Sequence, residues 1–221
     1  MCACQALGGA AYAADSSEFW PEISAYVALR PDTRLFLDAS YARDKASEAK
    51  SLDLSAFIDL SIKPILREQL WTEDWQRSRY FWARIGYTRV LKAADGASSV
   101  AENRGIVSIY AKAPLPADVW LEARARTDLR WIGDAYSTRY RFRLEATREF
   151  TVLEHTVVPY FNVEWFYDTR YDSWARTLYQ AGTEITVDKR FRYEVFMARQ
   201  NDRRPSEATL NAIGLVGKWY F

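Results

Sequence analysis

The chain has 221 residues, of which 49% are hydrophobic, 15% aromatic and 27% charged, with a formal net charge of +1. That length suits one domain, because all-β barrels and sandwiches reach it undivided. The near-neutral balance excludes nucleic acid as the main partner, which would show as a basic excess. No window holds the ~18 consecutive apolar residues of a membrane helix.

Residues 1–14 are small and uncharged and end in Ala11-Tyr12-Ala13-Ala14, which reads as the remnant of a secretory signal. The positively charged start of a signal is missing, which fits a truncated start at Met1 or a plain soluble terminus. Cys2 and Cys4 both fall here, so the mature residues 15–221 contain no cysteine and no disulfide framework. Lipid attachment at Cys4 would need a leucine-led apolar run before it, and none is present.

From Trp20 onward, apolar and polar residues alternate with period two, the mark of a strand with two unlike faces. In 117–131, Val119, Leu121, Ala123, Ala125, Leu129 and Trp131 alternate with Asp118, Glu122, Arg124, Arg126, Asp128 and Arg130. The next segment sets Tyr140, Phe142, Leu144 and Ala146 against Arg139, Arg141, Arg143 and Glu145. The alternation predicts strands at 20–29, 34–43, 51–62, 77–91, 104–113, 117–131, 137–149, 156–168, 174–187, 190–200 and 208–221. Most approach the ~9–11 residues that a tilted strand needs to cross a bilayer.

Short connections fall at 30–33, 114–116 and 188–189, and longer polar ones at 44–50, 92–103, 132–136, 169–173 and 201–207. Membrane barrels have this asymmetry of short periplasmic turns and longer external loops. Eleven strands is an odd tally, whereas bacterial single-chain barrels use even numbers. Three sources of a twelfth are open: a strand hidden in 64–76, a weak strand before Trp20, or an N-terminal segment entering through the lumen. Residues 64–76 do not alternate, and Leu66, Leu70, Trp71 and Trp75 would also suit a short interfacial helix. The expected fold is therefore an all-β, transmembrane, antiparallel up-and-down β-barrel of about 12 strands, within a range of 10–12.

Alternation alone also fits a soluble sandwich or lipocalin-like barrel with the apolar face inward. Three features favour a lipid-facing apolar side. Aromatic residues gather near strand ends, including Trp20, Tyr87, Trp131, Trp165, Tyr167 and Trp219, where interfacial girdles sit. The chain ends on an alternating strand closing in Trp219 and Phe221, which resembles the terminal strand that barrel-assembly machinery recognises. A charged face turned inward would place Arg and Glu beside one another on neighbouring strands, where opposite charges stabilise the ladder.

The segments Ser137-Thr138-Arg139-Tyr140-Arg141-Phe142-Arg143-Leu144, Pro159 to Tyr167 and Asn211 to Phe221 resemble a family of uncharacterised Gram-negative outer-membrane proteins. That family is defined only as a domain of unknown function. The resemblance covers most of 18–221 and implies a barrel in the cell outer membrane, with no substrate, cofactor or catalytic residue to carry over.

No catalytic set is expected. The single histidine, His155, lies in the 150–155 connection without a serine beside it, and reads as a turn or interfacial residue rather than a general base. Asp53 with Asp59, and Glu164 with Glu184, could form acid–base or calcium pairs, yet their Arg neighbours favour ion pairs. Metal-binding Cys/His clusters and Gly-rich phosphate loops are absent from the sequence, and no cofactor is expected.

What remains is a lumen ladder of Arg124, Arg126, Arg130, Arg139, Arg141, Arg143, Arg176 and Arg192 against Glu122, Asp128, Glu145, Glu164, Glu184 and Glu194. Such a ladder either tunes a narrow pore or solute site toward small anionic solutes, or fills a closed structural barrel with salt bridges. The expected partners are outer-membrane lipids, lipopolysaccharide met by loop residues such as Arg170, Arg203 and Arg204, and the assembly machinery. A lipid-modifying barrel enzyme is a third reading.

Overall fold

The computed structural model describes residues 16–44, 50–62, 80–93, 100–203 and 209–221. The expected signal remnant at 1–14, the segment 64–76 and Arg204 lie outside them. The described chain is all strand: β1 (Ser16–Arg30), β2 (Thr33–Asp44), β3 (Lys50–Ser61), β4 (Phe81–Ala93), β5 (Val100–Leu115) and β6 (Val119–Ile132) come first. β7 (Ala135–Arg148), β8 (Phe150–Val152), β9 (His155–Asp168), β10 (Ser173–Thr186), β11 (Phe191–Asp202) and β12 (Leu210–Tyr220) complete it.

The barrel holds the expected dozen strands among the described residues, but they are not equivalent. Eleven form the closed ring, in the order β1 to β7, then β9 to β12 and back to β1. The three-residue β8 keeps the register of β7 on β9, since Thr147 faces Tyr160 and Phe150 faces Val157. The break between them falls opposite Pro159, which has no N–H to give the ladder.

An odd ring has one geometric consequence. Neighbours alternate in direction until the ring closes, and there β1 and β12 must run the same way. They pair in parallel from Ser16↔Leu210 to Tyr26↔Tyr220, while every other pairing is antiparallel. The odd tally read from the alternation is thus the tally of the ring, and the chain departs from the even-number rule by closing on a parallel seam. The Phe221 N–H donates to the Tyr26 carbonyl and the Ala28 N–H to the Phe221 carbonyl, so the last residue is tied to β1.

Most tight turns and longer connections separate by end. The links after β1, β5, β8 and β10 are tight and share one end, and those after β2, β4, β9 and β11 share the other. Two links depart from the expected pattern, since the one after β6, expected as a longer loop, is a two-residue turn at the second end, and the longest, from β3 to β4, joins strands at the first. At the tight end, Ala117 and Asp118 (φ 65 and 57) and Leu153 and Glu154 (φ 49 and 69) hold consecutive left-handed conformations without glycine. Paired positive φ values suit the twist of a two-residue hairpin but strain ordinary L-residues.

The outer face is apolar. Ile85, Val107, Ile109, Phe161 and Ile213 are exposed, as are Phe142 at 40% and Met197 at 67%. A continuous apolar outer surface around a charged interior is what lipid requires and water disfavours. The soluble alternative is therefore set aside, because the apolar side of each strand faces out.

One girdle assignment is corrected. Trp20 turns into the lumen and packs on Phe196, with ring centroids 6.2 Å apart, because even-numbered residues of β1 face inward.

Candidate functional site in the lumen

Strand parity places side chains of alternating β6 and β7 residues on one lumen wall. Arg124 faces Arg143 and Arg126 faces Arg141 as direct cross-strand partners. Like charges so placed repel, and the block needs carboxylates to hold it. Glu164 on β9 supplies most of this, accepting Arg124 Nη2 at 2.5 Å and Arg141 Nε and Nη2 at 2.8 Å each. Arg143 Nη2 donates to Glu122 at 3.0 Å and Arg126 Nε to Asp128 at 2.5 Å. The Nε atoms of Arg124 and Arg143 are buried without a hydrogen-bond partner among the described residues.

Toward the loop end the lumen is filled by a second network. Glu102 accepts from Arg130 and from Arg104 Nε at 2.7 Å, and Arg130 Nη1 reaches Asp168 at 2.8 Å. Asp168 also accepts Arg139 Nη2 at 3.0 Å and Arg170 Nη2 at 3.1 Å. Glu102, Asp128 and Asp168 are each 1% exposed, so these charges are out of water and held by one another. In the turn after β9, the hydrogen bond from Arg170 to the Asp168 carboxylate raises the guanidinium above its ordinary range. Beside this network, Arg176 Nη2 donates to Asp202 at 2.7 Å.

Toward the tight-turn end, Lys218 Nζ lies 2.6 Å from Glu184 and 2.5 Å from Glu194, and Arg192 Nη1 lies 3.1 Å from Glu184. Asp59, with its side chain fully buried, accepts Arg34 Nη2 at 2.7 Å and Arg84 Nε at 2.6 Å. Arg34 and Arg84 lie over an aromatic arc in which Tyr220, Tyr26, Phe36 and Phe57 stack in succession, with centroids 4.6–5.5 Å apart. Gly86 makes room for this arc, since a Cβ there would stand 2.4 Å from the Phe57 ring.

Between the walls is a cavity of about 660 Å³. Its lining runs from Arg104, Arg126, Arg141 and Glu164 near mid-lumen to Thr186 and Tyr220 at the tight-turn end. Glu102, Asp128, Arg130 and Asp168 do not line it, so it ends at Arg104, the inner edge of the loop-end network.

Of the residues singled out from the sequence, Arg124, Arg126, Arg141, Arg143, Glu164 and Glu184 line the cavity, while Arg139 and Arg176 belong to the loop end. Asp53 and Asp59 are not a carboxylate pair, since Asp53 meets Arg104 at 3.2 Å and Asp59 meets Arg34 and Arg84. Glu164 and Glu184 likewise serve different cations. The His155 Nδ1 lies 3.2 Å from the Thr186 carbonyl oxygen at the start of β9. Trp219 packs on Phe191 on the outer face.

Sequence reading missed the inward aromatic arc and the Glu22–Asp38 pair. Ser24 Oγ lies 3.1 Å from both carboxylates. The available signal was parity, because Glu22, Ser24 and Tyr26 share one face of β1 as Arg34, Phe36 and Asp38 share one face of β2.

The profile of the family described as Protein of unknown function (DUF2490) matches residues 17–211. The chain belongs to the DUF2490 family. The resemblance read from the Tyr-Arg strands is borne out by this match, which ends at the first residue of the closing segment. Among solved structures, this DUF2490 chain is similar to the β domain of the Bordetella autotransporter Brka, at a TM-score of 0.50 and 14% identity. The likeness covers 83% of this chain and 80% of that one and is one of fold. No curated protein matches the chain.

Proposed function

We propose that this chain is an outer-membrane β-barrel that docks a small anionic solute in its lumen, on the block of Arg124, Arg126, Arg141 and Arg143. The observation that carries this reading is the block's position. Four guanidinium groups converge on one wall of an accessible cavity, and two of their Nε donors are unmatched. Planar guanidinium donors suit carboxylate and phosphate oxygens, and a low-dielectric wall strengthens the attraction.

The cavity reaches the tight-turn end, which faces the periplasm in barrels of this build. Solute would enter from there. The apolar belt and the barrel fold support placement in the outer membrane, with lipopolysaccharide meeting the loop end at Arg170 and Arg203. Trp219 and Phe221 would serve recognition by the assembly machinery during biogenesis.

Purified barrel reconstituted in planar bilayers and in nanodiscs tests this reading. Small carboxylates should bind the nanodisc form, and Arg141→Ala should weaken them at least tenfold. Absence of binding in folded protein would refute it. The loop-end network favours a second reading, a closed envelope barrel, for which neither conductance nor binding is expected.

A further inference from the structure

Among the described residues, most of the lumen charge is held in direct ion pairs, but one cavity-lining carboxyl pair is not. Glu22 on β1 and Asp38 on β2 line the cavity, share the Ser24 hydroxyl and have no cation within ion-pair distance among the described residues. The two carboxyl groups also contact each other, and even with one proton shared between them the pair keeps a negative charge that no direct ion pair offsets.

Their position in the ring matters. In the closed order, β1 and β2 stand five strands from β6 and β7, which is half-way round a ring of eleven. Arg124 and Arg143 lie mid-way along the cavity-lining stretches of β6 and β7, as Glu22 and Asp38 do on β1 and β2. The cavity therefore has a carboxyl pair without a direct cation half-way round the ring from an ion-paired wall of guanidinium groups.

The Arg wall has unmatched polar atoms of its own. Arg124 is only 9% exposed and its Nε is unmatched. On the neighbouring β9, Asn162 is 1% exposed and its Oδ1 also has no partner among the described residues. Buried polar atoms in native proteins are nearly always matched, so this stretch of wall beside the cavity has a donor and an acceptor that the protein's own side chains leave unsatisfied.

We propose that the solute docked here is a small zwitterion, with its carboxylate or phosphate on the Arg124/Arg143 wall and its ammonium on Glu22 and Asp38. The inference rests on the anion-docking reading above and adds the second charge. Opposed charged walls orient such a dipole across the lumen, and the aromatic arc offers apolar surface to the carbon chain between its ends.

The test uses three matched probes, 6-aminohexanoate, hexanoate and hexylammonium, on folded barrel in nanodiscs, with empty nanodiscs as the blank. 6-Aminohexanoate should bind at least tenfold tighter than hexanoate, and the double variant E22Q/D38N should remove that advantage. If hexanoate binds as tightly as 6-aminohexanoate, or if the advantage survives E22Q/D38N, the zwitterion inference falls and the anion reading stands. If neither carboxylate binds, both fall. Should the double variant fail to fold, judged by heat-modifiable migration, Asp38→Asn alone carries the same readout.

Discussion

Arg124 on β6 and Arg143 on β7 are direct cross-strand partners, and their guanidinium groups divide between Glu164 and Glu122. Two like charges placed opposite each other would destabilise the ladder by themselves. Glu164 is therefore the keystone of the wall, because it also holds Arg141.

Glu164→Gln should leave Arg124 without its carboxylate and Arg141 with only the more distant Asp128, 3.8 Å away. Losing one partner of a buried ion pair costs about 3–5 kcal/mol, and a neutral amide recovers part of it. Urea unfolding from lipid vesicles should show a loss of at least about 2 kcal/mol on that scale. A change near zero would mean that water enters this wall freely.

Asp59 should be as sensitive. Its carboxylate binds Arg34 and Arg84, which lie over Tyr26 and Phe36, so Asp59→Ala strands two cations and loosens the arc. A loss of about 3–5 kcal/mol is expected in the same assay. The double variant R84M/D59A should recover part of it, since the charge left behind falls from two groups to one.

The lipid face has its own test. Met197 stands near the middle of β11 and is 67% exposed. Met197→Arg should cost about 2–4 kcal/mol at the bilayer midplane, whereas an exposed site in water would tolerate it within about 0.5 kcal/mol. Unfolding in vesicles separates the two.

Gly214 adjoins the parallel seam on β12, and a Cβ there would sit 2.0 Å from the Phe196 ring. Gly214→Val should drive Phe196 off the wall and lower folding yield, seen as a smaller heat-modifiable fraction on gels. An unchanged yield would show that Phe196 moves freely.

The Leu153–Glu154 turn is the reverse case, in which substitution should help. Both residues hold positive φ, and Leu153 is 89% exposed. Replacing them with Asn-Gly relieves a strain of about 1–2 kcal/mol per residue and should raise the urea midpoint.

Alternation within single strands determined the class of this protein. Charges on even positions of 118–130 and on odd positions of 139–145 required two unlike faces, and a closed sheet is what gives each face one solvent. Those readings are local, because period two is a property of one strand. What only the tertiary structure decided depends on counting round the ring. The same alternation cannot tell that β1 meets β12 in parallel, that β8 continues β7 past Pro159, or that the strands of Glu22 and Asp38 stand half-way round the ring from those of Arg124 and Arg143. Nor could it place Trp20 inside, since an aromatic residue at a strand end suits either face until parity is fixed by its neighbours. Register and closure join residues far apart in sequence, and their energetics arise only when the sheet closes on itself.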